Sequence, residues 1–414
     1  MLRKKNISKV IFIGLALIFC GVVVYLILPV FSKMIVASDI EYNVDHPAKV
    51  EGKINEIKSE NASEVKSASV AKENADALIP VTHIKTPEKV KALYISSWVA
   101  GSAGFRDSVI KIIDTTEINA IVIDVKDSTG RVSFSTDDPE IQKIGSSENR
   151  IRNIRALTQL LHSKNIYIIG RISTFQDSYL AKLKPEWAIR KVSDGGVWKD
   201  RKGMAFLDPT SKGAQNYILS IAKVAYADGF DEINFDYIRY PSDGNLKDIN
   251  YNITGGKTRA DNIESFFKFI STELKKDVNI PISGDVFGLT TEVKDDMGIG
   301  QVWEKAVIYF DFLCPMVYPS HYPPGHAGYK NPALYPYEVI NRALIGAVAK
   351  TKASGQSILK IRPWLQDFDM GATYTKEMVR AQIKATYDNG LTSWMLWDPA
   401  NKYTPSALLP EKNN

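Results

Sequence analysis

The chain has 414 residues, of which 44% are hydrophobic and 24% charged, enough apolar material for a sizeable core and too much for a chain disordered throughout. A net charge of +5, with Lys and Arg spread along the sequence and not interleaved with aromatics, argues against nucleic acid as a partner. Only Cys20 and Cys314 occur, in segments that could hardly meet, so there is no disulfide framework, and both read as small buried hydrophobes.

In chain order, the first element is an uncharged run, "VIFIGLALIFCGVVVYLILPVF", from Val10 to Phe31. Its length matches the roughly 20 residues a helix needs to span a bilayer. Arg3, Lys4, Lys5 and Lys9 precede it and only Lys33 closely follows, which predicts a cytoplasmic N-terminus over 1–9, a transmembrane anchor over 10–31 and an extracytoplasmic remainder. A signal peptide cleaved after "VAS" (36–38) is the alternative. Residues 32–88 are dominated by Lys, Glu, Ser, Asn and Ala, a composition that buries too little apolar surface to order itself and reads as a flexible linker.

From 89 to 414 short β-branched and aromatic runs alternate with amphipathic stretches. Strands are predicted within 91–100, 118–127, 165–175, 230–240, 280–288, 310–320, 358–368 and 391–399, with helices between them. Eight strands in this rhythm predict an α/β (β/α)8 TIM barrel, whose site lies at the C-terminal strand ends. A doubly wound sheet is the alternative, but "SWVAGSAGF" lacks the Gly-rich phosphate loop expected after its first strand.

A polar ring follows from reading each strand at its C-terminal end: Ser97 with Trp98, Asp124 with Asp127, Arg171, Asp236, Asp285, Tyr318 with His321, Gln366 with Asp367, and Trp397 with Asp398. In "FDEINFDYIRY" (230–240) the period of two puts Glu232, Asn234 and Asp236 on the inner face and Ile233, Phe235 and Tyr237 on the helix-facing side. Asp236 then stands highest, Glu232 lies deeper as a partner for a buried cation or hydroxyl, and Arg239 and Tyr240 continue into the rim. "SGDVFG" sets Asp285 on the adjacent strand, flanked by Gly284 and Gly288, which imply close backbone approach.

Two carboxylates on neighbouring strand ends suit glycosidic cleavage, where one group protonates the leaving oxygen and the other attacks the anomeric carbon or activates water. The opposing reading is that these acids only pair with Arg171 and Arg239. Asp236 is the expected nucleophile or base and Asp285 the expected general acid. Asp124 and Arg171 are expected to shape the site, and Trp98, Arg239, Tyr318, His321 and Trp397 to bind sugar. His321 and His326 have no accompanying metal-ligand spacing, and no G-x-S-x-G is present, so neither metal, other cofactor nor serine nucleophile is expected.

Together "FDEINFDYIRYP", "ISGDVFG", "PMVYPSHY" and "RPWLQDF" resemble a family of bacterial putative glycoside hydrolase domains, many of them membrane-anchored or secreted, over about Lys89 to the C-terminus. The resemblance implies a (β/α)8 barrel distantly similar to α-amylase-like ones, with a nucleophilic Asp on the fourth strand and an acid on the fifth, the positions of Asp236 and Asp285. Asn234 stands where those barrels carry Arg, and Asp285 where they carry Glu, so retaining and inverting stereochemistry both stay open. The expected function is a membrane-anchored glycosidase acting on a polysaccharide. The alternatives are a non-catalytic carbohydrate-binding surface protein and a hydrolase of another bond, such as an amide.

Overall fold

The computed structural model describes residues 79–276 and 278–410. Eight strands form within the eight predicted segments: β1 (Lys91–Ile95), β2 (Ala120–Lys126), β3 (Tyr167–Ser173), β4 (Glu232–Asp236), β5 (Ile282–Phe287), β6 (Phe312–Met316), β7 (Trp364–Gln366) and β8 (Trp394–Trp397). Each pairs in parallel with its sequence neighbours, and β8 returns to β1 through Lys91↔Trp394, Ala92↔Met395 and Leu93↔Leu396, which closes the barrel. Closure removes both sheet edges and excludes the doubly wound alternative. The thinnest seam lies between β6 and β7, where Met316 pairs with Trp364 and a single further bridge joins Leu313 to Ile361.

The main helices start where short polar side chains cap them. In α2 (Ile154–Ser163) Asn153 accepts from Ala156 N, in α3 (Lys212–Ala227) Ser211 accepts from Ala214 N, and α4 (Arg259–Lys275) opens on a Thr258–Asp261 capping box. With α1 (Ala103–Thr115), α5 (Pro336–Ala353) and α6 (Lys376–Asp388) they wrap the barrel. The outward residues of β4, Ile233 and Phe235, join the core between strands and helices, where Phe235 meets Phe266 and Phe310 at 6.4 Å between ring centres. Val122, Ile169, Cys314 and Met395 fill the inside of the barrel instead. Cys314 is there as the small buried hydrophobe expected of it.

The last residues assigned to the linker are part of the folded unit. Ile84 packs against the inner cluster while its N–H donates to Asp231 Oδ1 at 2.7 Å; Thr86 Oγ1 lies 2.9 Å from the Tyr167 hydroxyl. Asp231 and Tyr167 mark the N-terminal ends of β4 and β3, so this segment covers the closed end of the barrel. Its composition hid this, because a few residues seated on a ready-made surface need no core of their own. The predicted anchor (10–31), the segment before it and the linker up to 78 lie outside the described residues. No helix among the described residues is long and apolar enough to cross a membrane.

Candidate active site

The upper inner layer of the barrel is a network of charges. Arg171 on β3 donates from Nη1 to Asp124 Oδ1 at 2.7 Å, and from Nε and Nη2 to Asp236 Oδ2 at 3.1 and 2.5 Å. Tyr94 donates to the other oxygen of Asp124 at 2.6 Å. Burial opposes the charge on Arg171, but Asp236 and Asp124 outweigh it and hold the guanidinium firmly protonated. Burial also raises Asp124, with Arg171 and Tyr94 pulling the other way. The second oxygen of Asp236, Oδ1, accepts the backbone N–H of Tyr237 at 2.6 Å. Asp236 is thus ringed by donors and points at a fixed angle.

Asp285 on β5 sits in a different environment. Its Oδ1 accepts from Asn234 Nδ2 and Trp364 Nε1, each at 2.9 Å. Burial first, and the neighbouring Asp236 second, push this carboxyl well above the usual carboxylate range, more than those two hydrogen bonds lower it. One carboxyl is therefore pushed toward its protonated form and another is braced by a cation, and both line one cavity. That division of environments is what separates an acid from its partner in carboxylate-pair catalysis.

The cavity has a volume of about 180 Å³, and Arg171, Asp236, Arg239, Asp285, Tyr318, His321 and Trp397 from the expected set all line it. Trp397 stacks on Tyr94 with ring centres 3.9 Å apart and meets Trp364 edge-on at 5.6 Å. His321 is held neutral by burial, which lowers it to about 4.

Several expected placements differ. Trp98 is 54% exposed, outside the cavity, under the Arg150 guanidinium at 4.8 Å. The strand ends at Ile95 and a short helix, Ser97–Gly101, capped by Ser96, carries Trp98 outward. Asp124 does not line the cavity and acts on it through Arg171 and through Tyr94, on which Trp397 stacks. Tyr237 was expected against the helices but lines the cavity, because its φ of 51° breaks the strand alternation just after Asp236. Tyr240 is the reverse case, buried in the helical layer with its hydroxyl accepting from Asn262 at 3.1 Å. Gly284 is small for packing reasons, since a Cβ there would meet the Phe310 ring at 2.9 Å. Gly288 does belong to the site, where a Cβ would come within 2.6 Å of both Met316 O and the Tyr322 hydroxyl.

Other ring members are structural. Asp127 pairs with Arg150 at 2.5 Å, Asp398 accepts the N–H groups of Ala400 and Lys402, and Asp367 accepts from Thr404 N and Oγ1. Burial raises Asp367 to about 7. The sequence reading passed over Trp364 and the role of Asn234 as donors to Asp285, and Phe206 and Phe287 as cavity walls. Among the described residues no group of three or more His, Cys, Asp or Glu is placed to hold a metal ion.

The profile of a family described as "Putative glycosyl hydrolase domain" matches residues 92–403. No curated protein matches the sequence. A hypothetical protein from Ruminiclostridium thermocellum ATCC 27405 is 33% identical over 50% of this chain and 98% of its own, with a TM-score of 0.43. The glycoside hydrolase domain of PgaB (BpsB) from Bordetella bronchiseptica is 11% identical over 75% of this chain and 94% of its own, with a TM-score of 0.55, a likeness of fold. Since that profile spans nearly the whole barrel, the chain belongs to the family of the putative glycosyl hydrolase domain.

Proposed function

We propose that this protein is a glycoside hydrolase in which Asp285 is the general acid and Asp236 the nucleophile or general base. The observation that carries the reading is the contrast between the two carboxyls on one cavity: Asp285 keeps its proton because it is buried beside Asp236, while Asp236 is oriented by Arg171 and the Tyr237 N–H. Asp285 would deliver its proton to the glycosidic oxygen as the C–O bond breaks, and Asp236 would attack the anomeric carbon or take a proton from the attacking water. Tyr318 and Trp397 offer flat apolar walls for the C–H faces of a sugar ring, and neutral His321 a hydrogen bond.

In this reading the substrate is a polysaccharide. Trp98, exposed on the rim, would meet sugar units beyond the cavity. Residues 10–31 would tether the domain to the cell membrane with the barrel outside the cytoplasm, which fits a substrate too large to enter the cell.

The test is release of new reducing ends from a panel of cell-surface polysaccharides by the wild type, Asp236→Asn and Asp285→Asn. Hydrolysis by the wild type and its loss in both variants is the expected result. Full hydrolysis by either variant would exclude that residue from the reaction. Binding without any release would favour a carbohydrate-binding protein, for which the aromatic walls suffice and the protonated acid is superfluous.

A further inference from the structure

Four arginines are buried among the described residues: Arg150, Arg171, Arg239 and Arg362. Three have carboxylate partners, namely Asp127 and Glu148 for Arg150, Asp124 and Asp236 for Arg171, and Glu232 for Arg362. Arg239 has none among the described residues, although it is only 6% exposed. A buried cation is costly unless it is paired or hydrogen-bonded, so its surroundings need an explanation.

Nη1 of Arg239 donates to Tyr240 O at 3.1 Å and to Ser242 Oγ at 3.3 Å. Its guanidinium lies 4.7 Å from the centre of the Phe287 ring and 5.1 Å from that of Tyr237, which fixes its position. The Nε and Nη2 groups make no hydrogen bond among the described residues and are not sealed in the interior, and the side chain lines the cavity. Those two groups form the parallel fork that matches the two oxygens of a carboxylate.

A second unsatisfied donor lies nearby but is closed off from the cavity. The hydroxyl of Tyr322, a residue in the wall of the same cavity, is buried without a hydrogen-bond partner among the described residues. It stands beside Gly288, the residue after the Phe287 on which Arg239 lies. Burial and, second, Glu292 push its ionisation well above the usual phenol range, so it remains a donor. Asp243, also in the cavity wall, has a partner of its own. The open fork of Arg239 calls for a ligand group that only accepts.

We infer that Arg239 forms a carboxylate-recognition subsite, so that the saccharide taken by this cavity carries an acidic sugar of the hexuronic type. The inference rests on the glycosidase reading for the kind of ligand, but its test is one of binding. Oligosaccharides of pectate, alginate and hyaluronan, each with its carboxyl-reduced counterpart, are titrated calorimetrically into the intact chain, and each mixture is then assayed for new reducing ends.

At least one uronate should bind about 10- to 100-fold more tightly than its reduced counterpart, the span expected of a charge-assisted pair. Arg239→Gln should abolish the preference, Arg239→Lys should keep only part of it because charge remains without the fork, and Tyr322→Phe, whose hydroxyl is out of the ligand's reach, should leave it nearly unchanged. If Arg239→Gln does not fold, Arg239→Lys carries the test. Equal or weaker binding of every uronate, or a preference that survives in folded Arg239→Gln, overturns the subsite. Uronate binding without cleavage would leave the subsite standing and sink hydrolysis; cleavage of the reduced oligosaccharides alone would do the opposite.

Discussion

Strand β4 carries two inward acids, Glu232 at its start and Asp236 at its end, and each lies against an arginine. At the closed end, both oxygens of Glu232 accept from Arg362 Nη1 at 2.8 and 3.1 Å, and Tyr167 donates at 3.1 Å, all out of reach of solvent. At the open end, Asp236 takes Arg171 on one oxygen and leaves the other to a backbone N–H, next to a second carboxyl and a cavity. The chemistry of the two pairs is nearly the same. Only the upper one has a neighbouring acid that keeps its proton and a space into which that proton can be delivered. Height on the strand, not residue type, therefore separates a structural pair from a candidate catalytic one.

The sharpest way to break this comparison is to neutralise one acid at each end. Asp285→Asn should lower kcat by about 10²–10⁴-fold, the usual worth of general acid catalysis, and leave the thermal midpoint nearly unchanged. Glu232→Ala should do the reverse. Leaving Arg362 buried without its carboxylate should cost about 3–5 kcal/mol of stability in denaturant unfolding, while the remaining folded protein keeps its turnover. Equal effects of both substitutions on both measurements would erase the distinction.

A pH profile sharpens the comparison further. The proposed mechanism needs Asp285 protonated, and its raised pKa favours the protonated form past the ordinary carboxylate value of about 4. The alkaline limb of kcat/KM should therefore lie well above the ordinary carboxylate range, and a profile already falling within that range would show that Asp285 is not the acid. His321 is neutral above about 4, so His321→Gln should leave the limb in place and cost less than about tenfold in kcat/KM. The smallest effect is expected at the rim, where Trp98→Ala should raise KM for long polysaccharides and leave short oligosaccharides unaffected.

The barrel was legible because period-2 alternation and helical spacing reflect the two sides of each strand directly, as with Glu232, Asn234 and Asp236 set against Ile233 and Phe235. What the pattern could not carry were breaks in regularity. Nothing in "DYIRY" announces the left-handed backbone that turns Tyr237 into the cavity, and nothing in "ISSWVA" shows that the strand stops before Trp98. Partnerships across strands were also hidden. Asn234 and Trp364 meet on Asp285 only once three strands are in register, and whether Gly284 served a site or a ring depended on the distant Phe310.

The segment around Ile84 and Thr86 fixes the direction in which the molecule works. It seats on Asp231 and Tyr167 at the end of the barrel opposite the cavity mouth, so residues 84–90 reach β1 from behind. None of them lines the cavity, and its opening is left clear of the segment that leads into the first strand.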